Sequence, residues 1–207
     1  MMVKTIHKTN PDYPATLITY LGDQAPASVF VLGNLDILKE KMFALFCSVK
    51  CPGNLILQTY ELARAWRDAG VAVIGGFHSP MEKECLSFLL RGKQPIVWCP
   101  ARRLSGKRLP KAYVEPLSEG RLLILSPFGQ SVVRATRVTA HVRNEFVATF
   151  AARIFFAYAT PEGQTEAFCR RVIAWGKPAL TFKCPENIHL IAAGALPYEI
   201  DGDAVQG

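Results

Sequence analysis

Five stretches hold the residues of this 207-residue chain that could do chemistry. Each lies where an apolar run gives way to a helical pattern, the place at which an open α/β sheet presents backbone N–H groups to a ligand. In "CSVKCPGN" (Cys47–Asn54), Lys50 offers a charge and Gly53 allows close backbone approach at a helix start. An exposed lysine on an ordinary turn is the alternative. The spacing is neither a P-loop nor a GxGxxG fingerprint.

In "GGFHSPME" (Gly75–Glu82), Gly75, Gly76 and His78 are candidate ligand contacts, and Phe77 or His78 offers a stacking face for a base. Ser79, Pro80 and Glu82 spell a capped helix start. Glu82 and Glu84 then satisfy the helix dipole themselves and oppose a phosphate there. In "CPARRLSGKRLPK" (Cys99–Lys111) five residues are basic, and Arg102 and Arg103 suit phosphate-backbone contact; a solvated loop is the plainer reading. In Arg134–Ala152, the pair Arg143–Asn144 precedes an apolar run and should sit near the sheet edge, as a phosphate fork or a helix-surface ion pair. In "ATPEGQTEAF" (Ala159–Phe168), Gly163 permits close approach and Thr165 is a cap or phosphate donor.

No GxSxG elbow, HExxH pair or Cys/His set accompanies these loops, so no catalytic residue is assigned. The six cysteines include no Cys-x-x-Cys pair, and no metal site or cofactor is expected. Cys47, Cys99 and Cys184 end or adjoin apolar runs and read as reduced, buried thiols.

The elements that must position these loops alternate. Strands are expected at Val29–Leu32, Phe43–Val49, Val71–Ile74, Pro95–Cys99, Arg121–Leu125, Arg153–Tyr158 and Ala179–Phe182. Helices are expected at Leu55–Ala69, Met81–Arg91, Val138–Ala152, Thr165–Trp175 and Asn187–Ala193. Alternation with strongly apolar strands implies one doubly wound, mostly parallel sheet with helices on both faces, a Rossmann-like α/β domain. Its expected span is 29–200, with 1–28 as an N-terminal arm packing on the core and 201–207 as a loose tail.

Half the residues are hydrophobic and a fifth charged, which excludes general disorder. No apolar run reaches the roughly 18 residues a membrane helix needs, and the first residues lack a signal-peptide core, so a cytoplasmic protein with no membrane partner is expected. A formal charge of +7 favours polyanionic partners.

The order of motifs resembles the Rossmann-type core of the DNA-processing protein A (DprA, or Smf) family, from about Tyr13 to Leu196. "YPATLITYLGDQAPASVFVLGN" is similar to that family's opening segment, and "CSVKCPGNLILQTYELARAWRDAGVAVIGGF" to its first βαβ unit, with Lys50 where the family usually has Arg. "GKQPIVWCPA" matches its next strand, with Gly92 before it. Arg143–Asn144 stand at its Arg-Asn motif, Gly163 and Thr165 in its Gly/Thr loop, Gly176-Lys177-Pro178 before the following strand, and "NIHLIAAGA" at its close. The family's Ser-Gly-Leu-Ala-x-Gly-Ile-Asp motif is replaced by "GGFHSPMEKE", which keeps Gly76.

The resemblance implies a homo-oligomeric, non-enzymatic protein that binds single-stranded DNA along the carboxyl edge of the sheet and works beside the recombinase RecA. Lys50, Arg102, Arg103 and Arg143 would then meet phosphates, and Gly75, Gly76 and Gly163 would let the backbone approach. The wider superfamily includes the LOG-type phosphoribohydrolases, which implies as the alternative a sensor or an enzyme that binds a nucleotide or nucleotide derivative. Phe168 stands where their catalytic Glu would follow Thr165, so hydrolysis of that type is not expected.

Overall fold

The structure, a computed structural model, describes residues 2–104 and 109–200. Among them nine strands form one sheet: β1 (Lys4–His7), β2 (Ser28–Gly33), β3 (Phe43–Cys47), β4 (Val73–Gly75), β5 (Ile96–Trp98), β6 (Leu122–Ser126), β7 (Arg153–Tyr158), β8 (Ala179–Phe182) and β9 (Leu196–Tyr198). Their spatial order is β1-β2-β6-β5-β4-β3-β7-β8-β9. Every pairing from β6 to β9 is parallel, and only the β1–β2 and β2–β6 pairs run antiparallel. The expected mostly parallel, doubly wound α/β fold is the one found.

Seven α-helices among the described residues cover the sheet: α1 (Ala15–Leu21), α2 (Gly53–Asp68), α3 (Pro80–Leu89), α4 (Lys111–Ser118), α5 (Arg137–Phe150), α6 (Gln164–Ala174) and α7 (Ile188–Ala192). Strand β3 illustrates why the centre forms: all five residues of "FALFC" are buried, as a strand covered on both faces requires. Its alternate side chains feed two cores. Phe43 and Leu45 pack with Leu55, Leu62 and Trp66 of α2 and with Leu86 of α3. Ala44 and Phe46 pack with Phe146 of α5, Phe168 and Val172 of α6, and Leu17 of α1. The buried stripe Leu55, Thr59, Leu62, Ala63, Trp66 has the helical repeat that lays α2 on the sheet.

The winding direction reverses beside β3. From β3 the chain moves to β4, β5 and β6; it then returns through α5 to β7, on the other flank of β3, and moves outward to β8 and β9. The loops leaving the carboxyl ends of β3 and β7 therefore lead to helices on opposite faces of the sheet, α2 and α6, which is the position at which open α/β sheets bind ligands.

The details differ from expectation at the ends of elements. Strand β3 stops at Cys47, because Val49 stands 72% exposed in the following loop. Val71 precedes β4, its N–H closing the α2 terminus on Trp66 O. Lys111 opens α4 rather than ending a basic loop; Pro110 and Pro116 hid that helix from a periodicity reading. Lys107 and Arg108 lie outside the described residues, as does the 201–207 tail. The N-terminal segment expected as an arm supplies the edge strand β1, and its Ile6, Tyr13 and Leu17 belong to the core on the α5 face.

Candidate functional site

A cleft of about 370 Å³ opens at the switch point. Three strand-end loops and one helix build it: Cys47–Lys50 after β3, His78 and Ser79 with Glu82 after β4, Thr160 to Thr165 after β7, and Ala140, Arg143 and Asn144 of α5. Ala140, Arg143 and Asn144 are spaced i, i+3, i+4 and so share one helix face. The β3–β7 pairing shifts register at Phe46/Cys47 and continues through the Ser48 N–H to Tyr158 O at 2.9 Å, while Ser48 Oγ accepts the Thr160 N–H at 2.9 Å, tying the two rims together.

Arg143 dominates the cleft. It is only 4% exposed, and its guanidinium donates to Asn144 Oδ1 at 2.8 Å and to Cys99 O at 3.3 Å. No carboxylate of the described residues comes within 4.0 Å of it. Burial pushes the Arg143 pKa below its ordinary value, with the more distant Glu82 carboxylate acting in the opposite direction. A buried charge with no carboxylate in ion-pair contact is expensive, on the order of several kcal/mol, and Glu82 offsets that only from a distance. An anion entering the cleft would remove that cost.

Gly76 makes room for this arginine. A Cβ added at Gly76 would collide with Nη1, Cζ and Nε of Arg143. The Gly76 carbonyl also accepts from Trp98 Nε1 at 3.3 Å, and Gly75 O accepts from the Cys99 N–H at 2.8 Å, so the glycine pair is fixed against β5.

Two helix starts near the cleft are treated differently. At α3, Ser79 and Glu82 form a reciprocal capping box. Glu82, 6% exposed, accepts from the His78 N–H at 2.7 Å, the Ser79 N–H at 3.1 Å and the Cys47 N–H at 3.0 Å. At α6 the N-cap is Gly163, without a side-chain cap, so its first N–H groups remain open toward the cleft beside Thr165. A Cβ at Gly163 would stand 2.8 Å from Thr160 O, which is why this tight entry holds glycine.

Among the described residues, Phe77 (φ 45°) and Glu162 (φ 60°) are the non-glycine residues with left-handed backbone. Each directly precedes a cleft residue, His78 and Gly163. Such conformations persist only where the surroundings enforce them, and they gather at binding loops.

Of the residues expected from sequence, the fold brings Lys50, His78, Arg143, Asn144, Gly163 and Thr165 to the cleft, with Gly76 behind Arg143. Lys50 and His78 are exposed. Gly75 faces the Phe77 ring instead, and Gly53 opens α2 with free space around it. Arg102 and Arg103 lie on the connection after β5, outside the cleft lining; Arg103 donates to Gln130 O at 3.0 Å and Oε1 at 3.1 Å. Phe77 does not offer a stacking face: it is 3% exposed, packed in the core under the loop. Ser48 and Gln164, both cleft residues, were not expected. Ser48 fell inside the expected strand Phe43–Val49, which overran the observed end at Cys47, and so carried no loop signal; Gln164 carried none either.

No protein-family model matches the sequence, and no curated protein matches it. The comparison with solved structures defines the class first, a Rossmann-like α/β domain: the molybdenum cofactor carrier protein from Chlamydomonas reinhardtii is similar in fold (12% identity, 79% of this chain and 92% of that chain, TM-score 0.52). Within that class the chain has the DprA-type fold. DprA from Streptococcus pneumoniae superposes with a TM-score of 0.77 at 18% identity, over 96% of this chain and 71% of that chain. DprA from Helicobacter pylori, described for its unique single-stranded DNA binding mode, gives 0.74 at 12% identity, over 98% and 93%. The resemblance carried by the sequence motifs is thus matched in three dimensions.

Proposed function

We propose that this chain binds single-stranded DNA by its backbone phosphates at the carboxyl edge of the sheet. The observation that carries the reading is Arg143, buried in an open cleft without a carboxylate partner. One phosphate would sit between Arg143, the open N–H groups of α6 and Lys50, with Thr165 as a hydroxyl donor. His78, exposed on the rim, is the residue available to stack on a base. Arg102 and Arg103, two strands away after β5, would meet neighbouring phosphates of a strand running across the edge. The net charge of +7 favours the same partner. The DprA-type fold supports a recombination-accessory role in the cytoplasm, with RecA and a second copy of the chain as partners and no chemical step of its own.

Fluorescence anisotropy of a labelled single-stranded oligonucleotide across a salt series tests this. Log affinity should fall linearly with log salt, by about 0.7 per phosphate contacted. Arg143→Lys keeps the charge but loses the planar fork, and should weaken binding by about tenfold or more. Absence of binding at low salt would overturn the reading.

A second reading, a nucleotide or nucleotide derivative as ligand, is favoured by the size of the cleft, which falls in the range of small-molecule sites. Saturating nucleotide would then stabilise the fold by about 2.7 kcal/mol at a hundred times its Kd.

A further inference from the structure

The α3 N-terminus in this cleft already holds an anion. The three N–H groups of Cys47, His78 and Ser79 converge on one carboxylate, that of Glu82, at 2.7 to 3.1 Å. Backbone N–H groups gathered at a helix start would otherwise receive a phosphate. Glu82 lines the same cleft as Arg143, and both are more than nine-tenths buried. Among the described residues, the charged groups lining the cleft are Arg143 and Lys50 on one side of the balance and Glu82 on the other, with His78 on the rim.

We propose that Glu82 sets the charge class of the ligand: the cleft accepts a single phosphodiester monoanion and rejects polyphosphates. This rests on the DNA-binding reading and narrows it. Two cations against one fixed carboxylate leave one positive charge, which a phosphodiester balances. A di- or triphosphate brings further charge, while the N–H groups of Cys47, His78 and Ser79 are already taken by Glu82 and offer it no donors. Extra negative charge in the same cleft as the buried Glu82 carboxylate is repelled by it. Glu82 is thus a specificity-determining residue, positioned by the capping box that also starts α3.

The test compares a labelled single-stranded oligonucleotide with inorganic tripolyphosphate at equal ionic strength, on the full chain and on Glu82→Gln. Glutamine keeps one acceptor oxygen for the His78 and Ser79 N–H groups but turns its NH2 toward the Cys47 N–H, so the variant should fold with a lower melting temperature, which a thermal melt checks. The wild-type protein should bind the oligonucleotide at least about tenfold more tightly than tripolyphosphate. Glu82→Gln should raise tripolyphosphate affinity by about tenfold and oligonucleotide affinity by a clearly smaller factor, so that the preference for the oligonucleotide narrows. Tripolyphosphate binding the wild type as tightly as the oligonucleotide would overturn the proposal without any variant, as would a folded Glu82→Gln protein whose tripolyphosphate affinity is unchanged. An oligonucleotide that binds neither protein contradicts the DNA-binding reading instead, and the tripolyphosphate comparison still decides the role of Glu82.

Discussion

Gly76 and Arg143 share one space: the position a Cβ would take on Gly76 is filled by the Arg143 guanidinium. The loop after β4 and the middle of α5 lie 67 positions apart in the chain (143 minus 76), yet the arginine can be buried only because that loop lacks a side chain at this point.

Gly76→Ala should accordingly displace Arg143 from the cleft. Overpacking of this kind costs about 1–3 kcal/mol, so the melting temperature should fall, and oligonucleotide affinity should fall with it by about tenfold or more. A variant that melts lower but binds normally would show that the guanidinium position does not matter for the ligand. Calorimetry and anisotropy on the same preparation separate the two.

The acid dependence of stability should trace to Glu166. This buried carboxylate accepts from Arg170 Nη2 at 2.7 Å and from the Glu162 N–H at 2.8 Å, with His189 further off at 3.8 Å. Those contacts, the Arg170 hydrogen bond first, hold its pKa below the ordinary carboxylate value. A depressed pKa contributes stability that is present above the unfolded value, about 4.3, and lost as pH falls through the lower folded one. Glu166→Gln should therefore melt below the wild type at neutral pH, and the gap should close as pH drops below about 4. A gap independent of pH would contradict the assignment.

Glu162 holds a left-handed backbone at φ 60° with an exposed side chain. Glycine adopts that conformation without the penalty of about 1–2 kcal/mol, but loses about 0.5–1 kcal/mol of chain entropy on folding. Glu162→Gly should stabilise the protein by up to about 1 kcal/mol, raising Tm by about 2–4 °C at most. Its N–H must still reach Glu166, so affinity for the oligonucleotide should stay within about twofold of the wild type. A lower Tm would mean that this turn is held by more than its backbone preference.

The sheet was legible in the sequence because its central strands are short, fully apolar runs punctuated by Gly and by capped helix starts. Strands β3, β7 and β8, with helices α2 and α6, lie within about two residues of where the pattern puts them. The pieces that escaped are those whose stability comes from packing rather than pattern. Strand β1 has one buried residue, Ile6, and β9 has one, Tyr198; α4 carries a proline within it. Arg143 and Asn144 were legible as a pair near the sheet edge, but the burial of Arg143 was not, because it depends on Gly76 from another loop. Phe77 was misread for the opposite reason: its position in a strand-end loop suggested exposure, whereas the left-handed backbone turns its ring into the core. Arg102 and Arg103 looked equivalent to the cleft residues in sequence, and only the fold separates them from it.

That separation gives the most direct measurement of the account. A labelled single-stranded oligonucleotide should be titrated against wild type, Lys50→Glu and the double variant Arg102→Glu/Arg103→Glu at several salt concentrations. Lys50 is an exposed residue on the cleft rim, so its reversal should leave the fold intact. The account predicts that Lys50→Glu weakens binding by about tenfold or more and lowers the salt slope by about 0.7, while the double variant weakens it less. A double variant that abolishes binding while Lys50→Glu binds as the wild type does would place DNA on the β5 connection and contradict a site at the switch-point cleft.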